Sequence, residues 1–167
     1  MLDLKTLVRD IPDFPIKGVV FRDISPLLEN HDAFTAALDR LAGELNMNDV
    51  DHVVGIESRG FILGAALAAR CGKGFIPLRK AGKLPPPVQA LSYDLEYGKA
   101  TLEMRAGKGR VAVIDDVLAT GGTLAAALEL CNRSGFDVVG AGVLIDLRFL
   151  NEFRFKGDRI ASVITYD

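Results

Sequence analysis

Residues 111–127 read VAVIDDVLATGGTLAAA. An apolar, strand-like run ends in two adjacent carboxylates, Asp115 and Asp116, and then enters Ala119, Thr120, Gly121, Gly122 and Thr123 ahead of a helix-like stretch. Glycines at a strand-to-helix turn let backbone N–H groups crowd onto an anion, and the helix N-terminus adds partial positive charge. The threonine hydroxyls add donors without charge. The segment has neither the lysine and spacing of a Walker A loop nor the G-x-G-x-x-G of a dinucleotide site. In isolation TGGT reads first as a tight turn whose threonine caps a helix. Two acids ahead of it change the balance, because a cap uses one carboxylate at most. Adjacent carboxylates on a strand end suit the vicinal hydroxyls of a sugar, so a ligand such as a ribose 5-phosphate would use both halves.

Three further stretches carry chemistry-bearing residues. GIESRG (55–60) repeats the strand-to-helix turn, where Ser58, Arg59 and the Gly60 amide could hold a second anion through charge-assisted bonds. RKAGKLPPP (79–87) gathers Arg79, Lys80 and Lys83 beside a proline-rich loop. Such a charge run is ordinarily a solvated face; as a site it would neutralise a polyphosphate, with the loop closing as a lid. FPIKGVVFRDISPLL (14–28) sets Phe21 where its ring could stack on an aromatic base, against the plainer reading of a core-covering segment. His31 and His52 read as structural or surface residues, and no Ser-His or Cys-His pairing suggests a covalent nucleophile.

These residues need a frame. Apolar residues at helical spacing predict helices over 31–46, 61–72 and 123–135, with a short leading helix at 3–9 ended by Pro12 and Pro15. Strands are expected at 50–57, 74–79, 110–115, 137–146 and 159–166. Residues 80–100 begin as a loop, and LEYGKATLEM supplies a hairpin around Gly98. Alternating strands and helices argue for an α/β fold on a mainly parallel sheet. With 167 residues the chain reads as a single domain with enough core to need no staple.

A net charge of −2 argues against a broad nucleic-acid footprint. Cys71 and Cys131 lie far apart without C-x-x-C spacing, which suggests free thiols in a reducing compartment. The opening MLDLKTLVRDIPDFP interleaves acids and has no apolar stretch of the signal-peptide kind, and no run reaches membrane-helix length. A cytoplasmic chain with no membrane partner is the expectation.

Taken together, VAVIDDVLATGGT, GIESRGF, RKAGKLP, FPIKGVVFRDISPLL and YDLEYGKATLEM resemble the adenine phosphoribosyltransferase family of the type I phosphoribosyltransferases. The likeness runs from about Asp10 to Asp146. It implies a type I phosphoribosyltransferase fold, with a small N-terminal hood over about 1–30 and a flexible catalytic loop over about 80–100. The implied reaction converts adenine and 5-phosphoribosyl 1-diphosphate (PRPP) to AMP and diphosphate with Mg²⁺, in purine salvage, by a homodimer. By the same resemblance Asp115 and Asp116 contact the ribose hydroxyls, and Ala119, Thr120, Gly121, Gly122 and Thr123 cradle the 5-phosphate. Glu57, Ser58 and Arg59 form the diphosphate loop, with a non-proline cis peptide, and Arg79, Lys80 and Lys83 a basic strip partly across the dimer interface. Val20, Phe21 and Arg22 belong to the adenine hood, and Phe21 and Val117 sandwich the base. Glu96, Tyr97 and Arg59 are the catalytic candidates, with Glu96 assisting the proton that leaves the purine ring. The metal has no dedicated protein ligands and is held by PRPP and water.

Three places depart from the family pattern: the short link MRAGKGR (104–110), two extra or displaced prolines among those at 85–87, and DLRFLNEFRFKGDRI (146–160), which lacks the usual Gly-Arg. Two other readings stand beside this one. A transferase for hypoxanthine, guanine or xanthine would differ only in the hood, and a PRPP-binding regulator would be expected to carry an added DNA-binding domain or a basic face.

Overall fold

The chain's computed structural model describes residues 2–95 and 98–167 and divides into two compact units, Met1–Arg40 and Leu41–Asp167. Glu96 and Tyr97 lie outside the described residues.

The N-terminal unit is built on a two-stranded antiparallel ribbon of β1 (Arg9–Pro12) and β2 (Val20–Asp23), in register Asp10 with Arg22 and Ile11 with Phe21. The leading helix expected at 3–9 is only a 3₁₀ turn, Leu4–Leu7, because the chain from Arg9 finds a strand partner instead. Pro12 does not break this strand. It sits at the strand's last position in a two-stranded ribbon, where a missing N–H costs little. Between the strands the Asp13 carboxylate accepts the Gly18 N–H at 2.7 Å. Asp23 then accepts the Ser25 hydroxyl at 2.6 Å and amide at 2.9 Å, and Arg9 Nε at 3.0 Å, which lowers its pKa to about 2 and ties β2 to the short helix α1 (Ser25–Glu29). Helix α2 (His31–Glu44) follows, as its periodicity predicts.

The larger unit holds β3 (His52–Ile56), α3 (Arg59–Arg70), β4 (Gly74–Lys80), the hairpin β5 (Gln89–Leu95) and β6 (Gly98–Met104), β7 (Gly109–Leu118), α4 (Gly122–Arg133), β8 (Phe136–Leu147) and β9 (Ala161–Tyr166). Its seven-stranded sheet runs β5-β6-β4-β3-β7-β8-β9. The five strands from β4 to β9 are parallel, and the hairpin joins antiparallel at one edge. Strand β7 lies at the centre between β3 and β8, and Val111, Ala112, Val113 and Ile114 are fully buried. A strand covered on both faces reads as an unbroken apolar run, which is why this segment shows no alternation.

Two boundaries differ from expectation in ways that matter. Strand β7 continues three residues past Asp115, so both acids and Val117 lie within the strand, paired along β8. Strand β5 begins at Gln89, inside the expected loop, because Leu91 is buried opposite Leu102 of β6. Both cysteines are free, Cys131 buried and its thiol pushed up to about 12 by desolvation. Among the described residues no helix is long and apolar enough to cross a membrane.

Candidate active site

The sheet order explains where the chemistry gathers. From β3 the chain crosses to β4 on one side, whereas from β7 it crosses to β8 on the other. Neighbouring parallel strands whose connections leave in opposite directions open a crevice at their carboxyl ends, the usual ligand position in open α/β sheets. Both strand-to-helix turns singled out in the sequence emerge there, GIESRG after β3 and LATGGT after β7.

At the first turn the Glu57–Ser58 peptide is cis, as the resemblance implies. Arg59, the first residue of α3, turns back so that its Nε lies 2.5 Å from Asp116 Oδ2. Gly60 makes this possible. A Cβ there would stand 2.9 Å from Asp115 Oδ1 and 3.0 Å from the Ile114 carbonyl, so only glycine lets the first turn of α3 approach β7 so closely. The adjacent acids are thereby differentiated. Asp116 carries a guanidinium partner, and Asp115 accepts the Asp116 N–H at 2.8 Å. Burial, and then the neighbouring charge of Asp116, push the Asp115 carboxyl well above its ordinary range.

Glu57 is a buried carboxylate, only 4% exposed, that accepts Arg79 Nε at 2.6 Å and Lys83 Nζ at 2.7 Å. Burial alone would raise its pKa, but the bonds from Lys83 and Arg79 outweigh that and hold it below 4.5. The basic cluster is therefore no free solvated face; two of its three cations are anchored from beneath, and the Arg79 guanidinium lies 5.6 Å from the Phe61 ring centroid. A carboxyl with a depressed folded pKa contributes stability that is complete above its ordinary value and is lost as pH falls through the folded one. The Tm gap between the wild type and Glu57→Gln is thus expected to narrow as the pH is lowered below about 4.5. Thermal unfolding of both across pH checks this, and a constant gap would mean the carboxylate's charge is not what anchors the cations.

At the second turn no threonine caps the helix, contrary to the plainer reading of TGGT. The N-cap of α4 is Gly121, in the left-handed region at φ 96°, and no side chain caps the helix. The ladder begins with the Ala125 N–H donating to the Gly121 carbonyl at 2.9 Å, so the amides of Gly122, Thr123 and Leu124 precede it. There is no acid in this first turn. A turn with unspent donors and no carboxylate is suited to an anion.

Glu57, Lys80, Asp115, Asp116 and Thr123 share the lining of one cleft of about 640 Å³, a volume in the range of small-ligand sites. One of its residues escaped the sequence reading: Tyr93 of β5, whose hydroxyl lies 3.1 Å from Thr123 Oγ1. The signal was present in the period-two run Leu91, Tyr93, Leu95, which puts Tyr93 on the inward face once the segment is read as a strand. Val20, Phe21 and Arg22 belong to the N-terminal unit. There Phe21 meets the Phe14 ring edge-on at 5.2 Å and Arg22 pairs with Asp10 across the ribbon. Val20 is half exposed.

Comparison with known proteins agrees with this geometry. The phosphoribosyl transferase domain model matches residues 27–158. An adenine phosphoribosyltransferase of Bdellovibrio bacteriovorus is 51% identical over 99% of this chain and 100% of its own. Among solved structures, adenine phosphoribosyltransferase from Rhodothermus marinus superposes with a TM-score of 0.89 at 42% identity, covering 98% of this chain and 96% of the other. The enzyme from Giardia lamblia, solved with 9-deazaadenine, gives 0.86 at 39% identity over 99% and 97%. With this likeness along nearly its whole length, the chain belongs to the adenine phosphoribosyltransferase family and has the type I phosphoribosyltransferase fold.

Proposed function

We propose that this chain transfers the 5-phosphoribosyl group of PRPP to adenine, giving AMP and diphosphate, as a step of purine salvage. The observation that carries the reading is the convergence of an acid pair and two anion-binding turns on one crevice between β3 and β7. The turn Ala119–Thr123 takes the 5-phosphate on its amides and hydroxyls. Asp115 and Asp116 accept the ribose hydroxyls. Ser58, Arg59 and Lys80 hold the diphosphate directly, and Glu57 serves it by fixing Arg79 and Lys83. Val20, Phe21 and Arg22 of β2 and Val117 of β7 are assigned to the purine on the family resemblance alone.

In the reaction the purine nitrogen forms a bond to C1 of the ribose as the bond from C1 to the diphosphate oxygen breaks, with oxocarbenium character between, as in glycoside cleavage. Departing charge collects on the diphosphate, where Arg59 and the anchored cations stabilise it. The ring proton leaves to a base, a role the resemblance gives to Glu96, with Tyr97 and Arg59 the other catalytic candidates. No covalent enzyme intermediate is required.

Among the described residues no group of three or more His, Cys, Asp and Glu side chains is placed to hold a metal ion. The cleft carboxylates Asp116 and Glu57 already have cationic partners. Mg²⁺, which the family resemblance implies is held mainly by PRPP and water, would supply charge neutralisation for the leaving group. Two free cysteines support a cytoplasmic setting, and family likeness supports a homodimer, which light scattering would test.

A turnover assay with PRPP, Mg²⁺ and each purine base in turn tests the function. AMP from adenine alone is expected. Turnover with another base would move the specificity assignment, and absence of turnover with retained PRPP binding would favour the regulator.

A further inference from the structure

The segment after β8, which departs from the family pattern in sequence, ends against the phosphate turn. Asp146, only 1% exposed, lies near the end of β8 opposite Leu118, the last residue of β7 before the turn. The Asn151 side-chain amide donates to Asp146 Oδ1 at 3.1 Å and to the Leu147 carbonyl at 3.0 Å. Its own Oδ1 accepts the Phe153 N–H at 3.0 Å. Each polar atom of this buried amide is thus spent on fixing the chain on either side of it. The result is the placement of the Phe153 ring, which lies over Gly121; a Cβ at Gly121 would stand 2.7 Å from Phe153 Cδ2.

We propose that Phe153 is a positioning residue for the 5-phosphate, and that Asp146 and Asn151 are the brace that holds it. The ring occupies the space that any side chain at Gly121 would need, and so limits the conformations of the turn that presents the amides of Gly122, Thr123 and Leu124. Donors that must converge on one anion bind it best when their arrangement exists beforehand, because no ordering cost falls on binding. Brace and turn hang from the same pair of strands, Asp146 on β8 and Leu118 on β7, so their separation is set by the sheet ladder. Glycine at 121 and phenylalanine at 153 then form a matched pair: the first permits the left-handed turn, and the second confines it. The inference rests on reading the turn as the phosphate site.

The test compares the wild type with Phe153→Ala and Phe153→Leu in steady-state kinetics, calorimetric binding of AMP and adenosine, and thermal unfolding. Phe153→Ala is expected to raise KM for PRPP and Kd for AMP by about tenfold. KM for adenine, Kd for adenosine and kcat at saturating PRPP should stay within about twofold, since none of them reads the phosphate contact. Leucine, which keeps an apolar group over Gly121, should restore most of the loss. A fall in Tm with equal effects on AMP and adenosine would overturn the proposal and leave Phe153 as a packing residue. Should the alanine variant not fold, Asn151→Ser, which removes the amide that braces Phe153 but keeps the ring, decides by the same AMP-to-adenosine split, weaker AMP binding with adenosine unchanged being expected. Failure of the wild type itself to distinguish AMP from adenosine would instead overturn the reading of the turn as a phosphate site.

Discussion

Asparagine at position 115 is expected to give a more stable protein at neutral pH and a much poorer enzyme. Asp115 is half-buried beside Asp116, so desolvation and the neighbouring charge make ionising it in the folded chain cost free energy. A carboxyl whose folded pKa is raised contributes most to stability below its ordinary value, 3.8, and that contribution is lost as pH rises through the folded value. Asp115→Asn removes the charge while its oxygen keeps the bond from the Asp116 N–H, seen at 2.8 Å in the wild type. The Tm of the variant should therefore exceed that of the wild type, by a margin that grows with pH. Activity moves the other way. A carboxylate accepts hydrogen bonds from a diol with both oxygens, whereas the amide nitrogen of asparagine cannot accept at all. Loss of one bond to a charged group corresponds to a fall of about 10- to 100-fold in kcat/KM for PRPP. Thermal scans across pH with steady-state kinetics check both halves. A variant less stable at every pH would show that Asp115 is not a functional acid held at a cost.

Arg59→Gln has the larger expected effect, about 10²- to 10³-fold in kcat, the scale for losing one preorganised donor at developing charge. The guanidinium serves two partners. It neutralises Asp116 at 2.5 Å, and it stands at the first turn, which is proposed to hold the diphosphate. Without it Asp115 and Asp116 lie side by side with no cation between them, and the leaving group loses a charge-assisted contact. Lysine should recover only part, since an ammonium does not reproduce the planar fork. The measurement is kcat at saturating PRPP and adenine, with diphosphate affinity measured separately. A loss confined to diphosphate affinity would restrict Arg59 to ground-state binding.

The positions of the candidate groups were legible in the chain. DDVLATGGT and GIESRG set acids, glycines and threonines at strand-to-helix turns, and the structure has both turns there. The helices α2, α3 and α4 and the parallel strands were equally plain, since each buries a face or a core that its periodicity records. The N-terminal ribbon was not: Arg9–Pro12 is a strand only because Val20–Asp23 pairs with it, and a proline at its end hides that partner. Strand β5 was obscured for the same reason, its one buried leucine lying opposite Leu102 of a strand it had not yet met.

What only the tertiary structure decided is how the pieces divide the work. The order β4-β3-β7-β8 places the two turns, residues 55–60 and 118–123, at one crevice. Glu57 reads in sequence as one more acid near an anion site, yet it proves to be the buried anchor of Arg79 and Lys83. Asp115 and Asp116 are identical in type and adjacent, and only the approach of α3 across Gly60 gives Asp116 a cation and leaves Asp115 with its pKa raised. Residue type and local spacing fix which groups can do chemistry. Charge state and partnership depend on contacts between segments distant in sequence, so they exist only once the sheet has formed.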